Sequence, residues 1–300
     1  MFFFKIISYF ITIPITKFFF IIKYNLLRFN KSYLKKNHKI IIPWNSYINE
    51  FSKMPRFNKF IFFLSKNLPN NSEVIDVGAN IGDTTIEILI ANHTLSVIAI
   101  DGDITYHKYL KININNIQKK IHNKIKVKTF LNYIGNNVKG GLVNDNTGSS
   151  HYTNKGNNKF IKLDDLIKNI SNVSFIKIDT DGYDYDVISS SKNIISNFQP
   201  ILFFEAACIN KKILMSYIKT TKYLNKLGYT NFSAFDNCGS LILQNVEPKI
   251  INELYEYTNR QHNGKQYGIP YFDVLAYTPR YNNVVKKSLK QFVKFSNKKI

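Results

Sequence analysis

Residues 74–90 read VIDVGANIGDTTIEILI, an apolar run that breaks at a glycine-bearing turn and resumes as a helical pattern. Gly78 and Gly82 permit a tight turn and a close approach of the backbone to a ligand, while Asp83 stands where it would cap the helix that follows. A strand that enters a helix through such a loop collects unpaired N–H groups at one point, and so makes a cradle for a small polar ligand. Two familiar uses of this arrangement are excluded. A dinucleotide fingerprint beginning at Gly78 needs glycines at positions 80 and 83, where this chain has Asn80 and Asp83, and no Gly-Lys-Ser/Thr follows to make a phosphate loop.

Outward from this stretch, short apolar runs alternate with amphipathic ones. Strands are expected at 73–79, 95–101, 125–132, 173–179, 200–206, 231–236 and 271–277, with helices near 83–91, 103–116, 163–170 and 183–198. That alternation predicts an α/β fold, a doubly wound, mostly parallel Rossmann-like sheet with its first strand near the centre. Residues 136–157 are rich in Gly, Asn and Ser and should form a loop or small hairpin over the carboxyl ends of the strands, where such sheets bind ligands.

The second strand ends at Asp101, nineteen residues beyond Gly82, where a carboxylate can accept hydrogen bonds from both ribose hydroxyls of a nucleoside. Asp103 is the reserve, and the plainer alternative is that 101–103 is a turn and helix cap. After the third strand, Asn132 could read an adenine edge and Tyr133 could stack on it, unless both are turn residues. The candidate cofactor-binding set is Asp76, Gly78, Asn80, Gly82, Asp83, Asp101 and Asn132. In FIKIDTDGYD (175–184), strand alternation puts Lys177, Asp179 and Asp181 on one side, with Asp184 in the first helical turn. Asp181 is the leading candidate for general base, with Asp179 and Asp184 beside it. The alternative makes Asp181 and Asp184 an N-cap and its third-position carboxylate. Lys177, in an apolar strand, needs a partner, either Asp179 or Glu205, or else acts as a desolvated base. Lys177 and Glu205 complete the candidate acceptor side. A divalent metal shared by the three aspartates is left open, with no metal ligands assigned.

The chain has 300 residues, 44% of them hydrophobic, enough for one α/β domain with added elements. Its net charge of +21 would favour nucleic acid or an anionic surface, but only Arg28, Arg56, Arg260 and Arg280 are arginines, and Lys, Ile, Asn, Phe and Tyr dominate as A/T-rich codons dictate. Three aspartates at the mouth of the fourth strand repel phosphates, so nucleic acid is not the expected partner. Cys208 and Cys238 make neither a disulfide framework nor a metal spacing. Residues 1–66 read as an apolar and basic helical extension, 67–280 as the catalytic domain and 281–300 as a basic tail. Phe2 to Ile22 is an apolar stretch broken by Lys5, Pro14 and Lys17, is followed by basic residues from Lys23 to Lys36, and precedes any alanine that could mark a signal-peptidase site. It is expected to lie on or span a membrane with the domain on the cytoplasmic side, or to dock on the domain.

The runs DVGANIGDTT (76–85), IKLDDLI (161–167), FIKIDTDGYDYDVISS (175–190) and ILFFEAA (201–207) resemble, in order and spacing, the motifs of FkbM-type methyltransferases. The resemblance implies a Rossmann-like fold that binds S-adenosylmethionine and methylates a hydroxyl of a sugar, glycan or secondary metabolite. Two departures shorten a carboxylate by one methylene. Asp101-Gly102 replaces the family's Glu-Pro, and Asp181-Gly182-Tyr183-Asp184 replaces its Glu-Gly-x-Glu.

Overall fold

The structure, a computed structural model, describes residues 31–35, 38–43, 58–120, 125–136, 139–144, 150–264 and 268–298. A hairpin of β1 (Lys31–Lys35) and β2 (His38–Ile42) precedes helix α1 (Lys59–Asn67). Then come β3 (Glu73–Val77), α2 (Asp83–Ala91), β4 (Ser96–Asp101), α3 (Ile104–Lys120) and β5 (Lys126–Leu131). A small inserted sheet follows, made of β6 (Tyr133–Ile134), β7 (Lys139–Asn144) and β8 (Ser150–Ile161). The chain re-enters through α4 (Leu163–Leu166), β9 (Val173–Ile178), α5 (Asp184–Ser190), α6 (Lys192–Phe198), β10 (Ile201–Ala206) and α7 (Lys211–Lys226). It closes with β11 (Asn231–Asp236), β12 (Leu241–Val246), α8 (Pro248–Gly264), β13 (Phe272–Tyr277) and α9 (Asn282–Asn297).

The main sheet has eight strands in the order β12-β11-β13-β10-β9-β3-β4-β5. Its pairs from β10 through β9, β3 and β4 to β5 are parallel, while β13, β11 and β12 pair antiparallel at one side. From β3 the chain winds outward to β4 and β5, then returns to build β9 on the opposite side of β3. The strand order therefore reverses between β3 and β9, and the crevice at their carboxyl ends is the switch point where such sheets hold ligands.

Both sheet faces are covered, which is why these strands read as continuous apolar runs rather than alternating ones. Val74 belongs to the core shared with α1, α2, α3 and α9, whereas its neighbour Ile75 belongs to the core under α5, α6, α7 and α8. Rings lock the first of these layers, with Phe60 of α1 centred 4.7 Å from Phe235 of β11 and 5.9 Å from Phe292 of α9.

Several expectations change. The N-terminal extension is not helical over Lys31–Lys35 and His38–Ile42, which are strands. Ile40 and Ile42 alternate into the core from β2, and β-branched residues with period two pair as strands. In the stretch expected as a tail, the described residues 281–298 are packed on the domain. Val285, Leu289 and Phe292 of α9 recur at helical spacing and are buried, and their lysines face outward. The helix expected to run to Ile170 stops at Leu166, and the one expected over 183–198 breaks at Ser191, whose Oγ donates back to the carbonyls of Val187 and Ile188. The β7–β8 pair is the hairpin anticipated within 136–157, although β8 runs four residues further, to Ile161.

Candidate functional site

At the crest of β3 the backbone turns through left-handed residues. Gly78 lies at φ 73° and Gly82 at φ 84°, with Asn80 between them at φ 49°. A Cβ on Gly78 would meet the Asp179 carbonyl at 1.8 Å, so only glycine lets the crests of β3 and β9 touch here. Gly82 occupies the cap position of α2, which makes Asp83 the first helical residue rather than the cap. There its charge complements the helix N-terminus.

The Asp101 carboxylate is held from behind. Asn80 donates its backbone N–H to Oδ2 at 2.7 Å, and Asp103 donates its own to Oδ1 at 2.9 Å. Each oxygen keeps a lone pair, which suits the two hydroxyls of a ribose diol. Burial pushes the Asp101 carboxyl up to about 6, against the two backbone hydrogen bonds that favour its ionised form. Asp103 has a separate task, because its Oδ1 accepts from the N–H groups of Thr105 and Tyr106 and caps α3. The helix cap of the plainer reading of 101–103 is thus Asp103. Asn132 follows β5 beside this carboxylate, donating its N–H to the Asp101 carbonyl at 3.1 Å. The neighbouring Tyr133 ring lies where a side chain on Gly102 would project, 2.0 Å from its Cβ position. The proline that the family resemblance would place at 102 is excluded by this ring.

Beneath the loop sits an ion-pair network. Lys177 is buried and reaches Asp179 Oδ2 at 3.2 Å and Asp76 Oδ1 at 3.4 Å, and its ammonium donates to the Gly78 carbonyl at 3.1 Å. Burial works against its charge, but the facing Asp179, Asp76 and Asp83 carboxylates outweigh it and raise the lysine above its ordinary range. Lys177 is therefore committed to the loop and is not free to bind an acceptor. Asp76 is closed off from solvent, takes a 2.6 Å hydrogen bond from Thr85 Oγ1, and supports the cradle from below.

At the crest of β9, Asp181 adopts φ 53° and Gly182 φ 86°. A non-glycine residue held left-handed beside a ligand crevice is a strain that the surrounding fold must impose. The N-cap of α5 is Tyr183, with no side-chain cap hydrogen bond, so Asp181 and Asp184 are not a capping pair. Asp184 is fully buried, and its Oδ1 accepts from the N–H and Oγ1 of Thr180 at 2.9 and 3.0 Å. Burial, with Asp179 and Asp181 adding repulsion, lifts it to about 8. It shapes the turn rather than meeting an acceptor, which removes it from the catalytic candidates. Asp179 keeps 45% of its side chain exposed beside Lys177.

Glu205 is the last residue but one of β10 and stands in register with Asp273 of β13. Burial and the Asp179, Asp184 and Asp181 charges raise Glu205, and burial followed by Asp179 raises Asp273. Asp273 was missed from sequence. Its signal was a single carboxylate in the apolar strand FDVLAY, the counterpart of Glu205 in ILFFEA. Among the described residues, no group of three or more His, Cys, Asp or Glu side chains is arranged to hold a metal ion. Asp179 turns to Lys177 and Asp184 to Thr180.

The methyltransferase FkbM domain family matches residues 76–230, more than half of the chain, from the buried Asp76 through the cradle and both carboxylate crests. The chain belongs to the FkbM methyltransferase family. The cradle and the Asp101 carboxylate are arranged as a nucleoside would require. No curated protein sequence matches this family member. Among solved structures it is similar to methyltransferase FkbM from Methylobacillus flagellatus KT, at 13% identity over 69% of this chain and 44% of the other, with a TM-score of 0.38. This chain therefore spans under half the length of that protein. It is also similar to the precorrin-6y C5,15-methyltransferase of Geobacter metallireducens GS-15 (10% identity, 73% and 87% coverage, TM-score 0.39). A third likeness is to the plantazolicin methyltransferase BpumL in complex with SAH (11% identity, 77% and 89% coverage, TM-score 0.41).

Proposed function

We propose that this methyltransferase acts on oxygen, methylating a hydroxyl of a sugar, glycan or secondary metabolite, with Asp181 receiving the hydroxyl proton. The observation that carries it is the placement of Asp181. It projects from a strained crest next to the cofactor cradle, on the side of the crevice that also holds Glu205 and Asp273. Bound S-adenosylmethionine supplies an electrophilic methyl group, which leaves the protein to align the acceptor oxygen and take up one proton. Asp101 and the N–H groups of the loop hold the nucleoside. Glu205 and Asp273, both raised by burial and then by the Asp179 charge, line the acceptor side of the crevice and can hydrogen-bond an acceptor oxygen.

Carboxylates around the mouth also disfavour phosphate-bearing acceptors, which supports a neutral hydroxyl compound over nucleic acid. The segment Phe2 to Ile22 lies outside the described residues, and among those described no helix is long and apolar enough to cross a membrane. Its apolar length and the lysines after it support contact with an anionic membrane surface from the cytoplasmic side. The test is transfer of labelled methyl from S-adenosylmethionine to a panel of neutral glycosides and alcohols, run beside amines and RNA. Label appearing in amines or RNA but in no alcohol would sink the assignment to oxygen.

A further inference from the structure

The hairpin that precedes the FkbM-matched region reaches the cofactor loop through one side chain. Strand β2 pairs with β1 along one edge only, and an open strand edge leaves N–H and C=O groups needing partners. Asn113 of α3 supplies them as a third strand would. Its Oδ1 accepts from the Ile41 N–H at 2.8 Å, and its Nδ2 donates to the Ile41 carbonyl at 2.9 Å. The same Nδ2 donates to the Ile81 carbonyl, also at 2.9 Å, inside the loop that carries Asn80 and Gly82. Asn113 is 1% exposed, so none of these groups has water as a substitute.

The rest of the contact surface points the same way. One turn back on α3, Leu110 lies against Gly82, with its Cδ1 2.6 Å from where a Cβ would stand. Ile40 and Ile42 flank Ile41 and enter the same core as Ile81, Ile86 and Leu110. Tyr33 of β1 packs against that core too, and burial together with the Asp83 and Glu87 charges of α2 raises its hydroxyl above the ordinary range.

We propose that Asn113 is a positioning residue for the cofactor loop, and that the β1–β2 hairpin is through it a working part of the cofactor site rather than a separate extension. Asn80 lies one residue before Ile81 and fixes the Asp101 carboxylate with its N–H. A loop released at Ile81 loses that register, and the ribose carboxylate loses its orientation. The hairpin lies before residue 76, where the family match begins, so the brace is an addition to the matched region.

The experiment is calorimetric titration of the full chain with S-adenosylhomocysteine, which binds without reacting. Asn113→Ala removes all three hydrogen bonds, and Ile41→Pro removes the hairpin donor alone. Each should weaken binding about five- to twentyfold while circular dichroism reports a folded chain, and the double variant should be no weaker than the worse single one. Ile117→Ala, on the same helix and equally buried, is the control. It should lose stability yet stay within about twofold of the parent in affinity. Should Asn113→Ala fail to fold, Asn113→Asp keeps the volume and the acceptor but has no proton for Ile81, and should weaken binding alike. Parent-like affinity in Asn113→Ala, or in Asn113→Asp, or in Ile41→Pro overturns the proposal, and so does an equal loss in Ile117→Ala or full additivity in the double variant. Absence of any binding by the unsubstituted chain would overturn both this proposal and the cofactor site on which it rests.

Discussion

Asp101 makes the most direct claim on the cofactor. Replacing it with Ala should weaken S-adenosylmethionine binding by about 1 to 3 kcal/mol, the cost of losing a charge-assisted acceptor, with the fold intact. Because its carboxyl sits at about 6 in the free protein, wild-type affinity should fall as pH drops through 6, where the protonated form no longer accepts from both hydroxyls. The Ala variant should show no such fall, and an identical pH profile in both proteins would place the ribose elsewhere. Asp181→Asn should preserve cofactor affinity and lower turnover by about two to four powers of ten. Asn is at ease in a left-handed position, so a drop in turnover cannot be assigned to backbone strain. Asp184 differs again, since burial holds it at about 8 while an unfolded aspartate ionises near 4. The folded chain therefore binds the extra proton between those values, and this group's contribution to stability is lost as pH rises from about 4 towards 8. Asp184→Asn still accepts from Thr180 and should flatten that slope. Urea midpoints at pH 5 and 8 measure it, and an unchanged slope would refute the assignment. Of these residues, the positions of Asp101 at a strand end and of Asp181 just beyond another were legible in the sequence. The Lys177–Asp179 pair was one of the two anticipated, whereas Asp76 and the Gly78 carbonyl as further partners of Lys177, and Thr180 as the partner of Asp184, were not, because strand alternation does not encode which crest a side chain turns towards.

At the scale of elements, the seven expected strands all formed within two residues of their expected bounds, because each is a short apolar run between turn residues. What could not be read was pairing. In β12 (Leu241–Val246) the residues are largely half-exposed, and its apolar signal is diluted accordingly. Helices α7 and α8 carry Lys and Asn on wide polar faces, and only Tyr217, Leu224, Ile251 and Tyr255 mark their buried stripes as large apolar residues. Hairpin β1–β2 was obscured by its position after a long apolar segment, which made a continuous helical extension the simpler reading. The cradle itself was legible because two glycines at fixed spacing, after a strand and before a helix, leave the backbone few alternatives. Its third support, the Asp179 carbonyl against Gly78, comes from a strand a hundred residues away and could be seen only in three dimensions.

At the scale of the whole molecule, the sheet is stabilised by two helical layers, and one of them is completed by the last helix in the chain. A run containing Lys286, Lys287, Lys290 and Lys294 looks like a solvated tail when counted by charge. Counted by period, Val285, Leu289 and Phe292 form one apolar face, and Ser288 lies within it. Phe292 is 1% exposed, with Phe60 at 5.9 Å and Phe235 at 5.7 Å, so it joins α9 to both α1 and the sheet. Phe292→Ala should therefore cost about 3 to 5 kcal/mol, the range for deleting a buried aromatic ring and leaving its cavity. That is a large part of the roughly 5 to 15 kcal/mol by which single domains are stable. The urea midpoint should fall with little change in the slope of the transition, since the whole fold still unfolds as one unit. A loss below about 1 kcal/mol would mean that α9 is attached only loosely and that the sheet is held by α1, α2 and α3 alone. Lys290→Ala, on the opposite, exposed face of the same helix, should change stability by less than about 0.5 kcal/mol. The two substitutions together separate a structural helix from a basic tail.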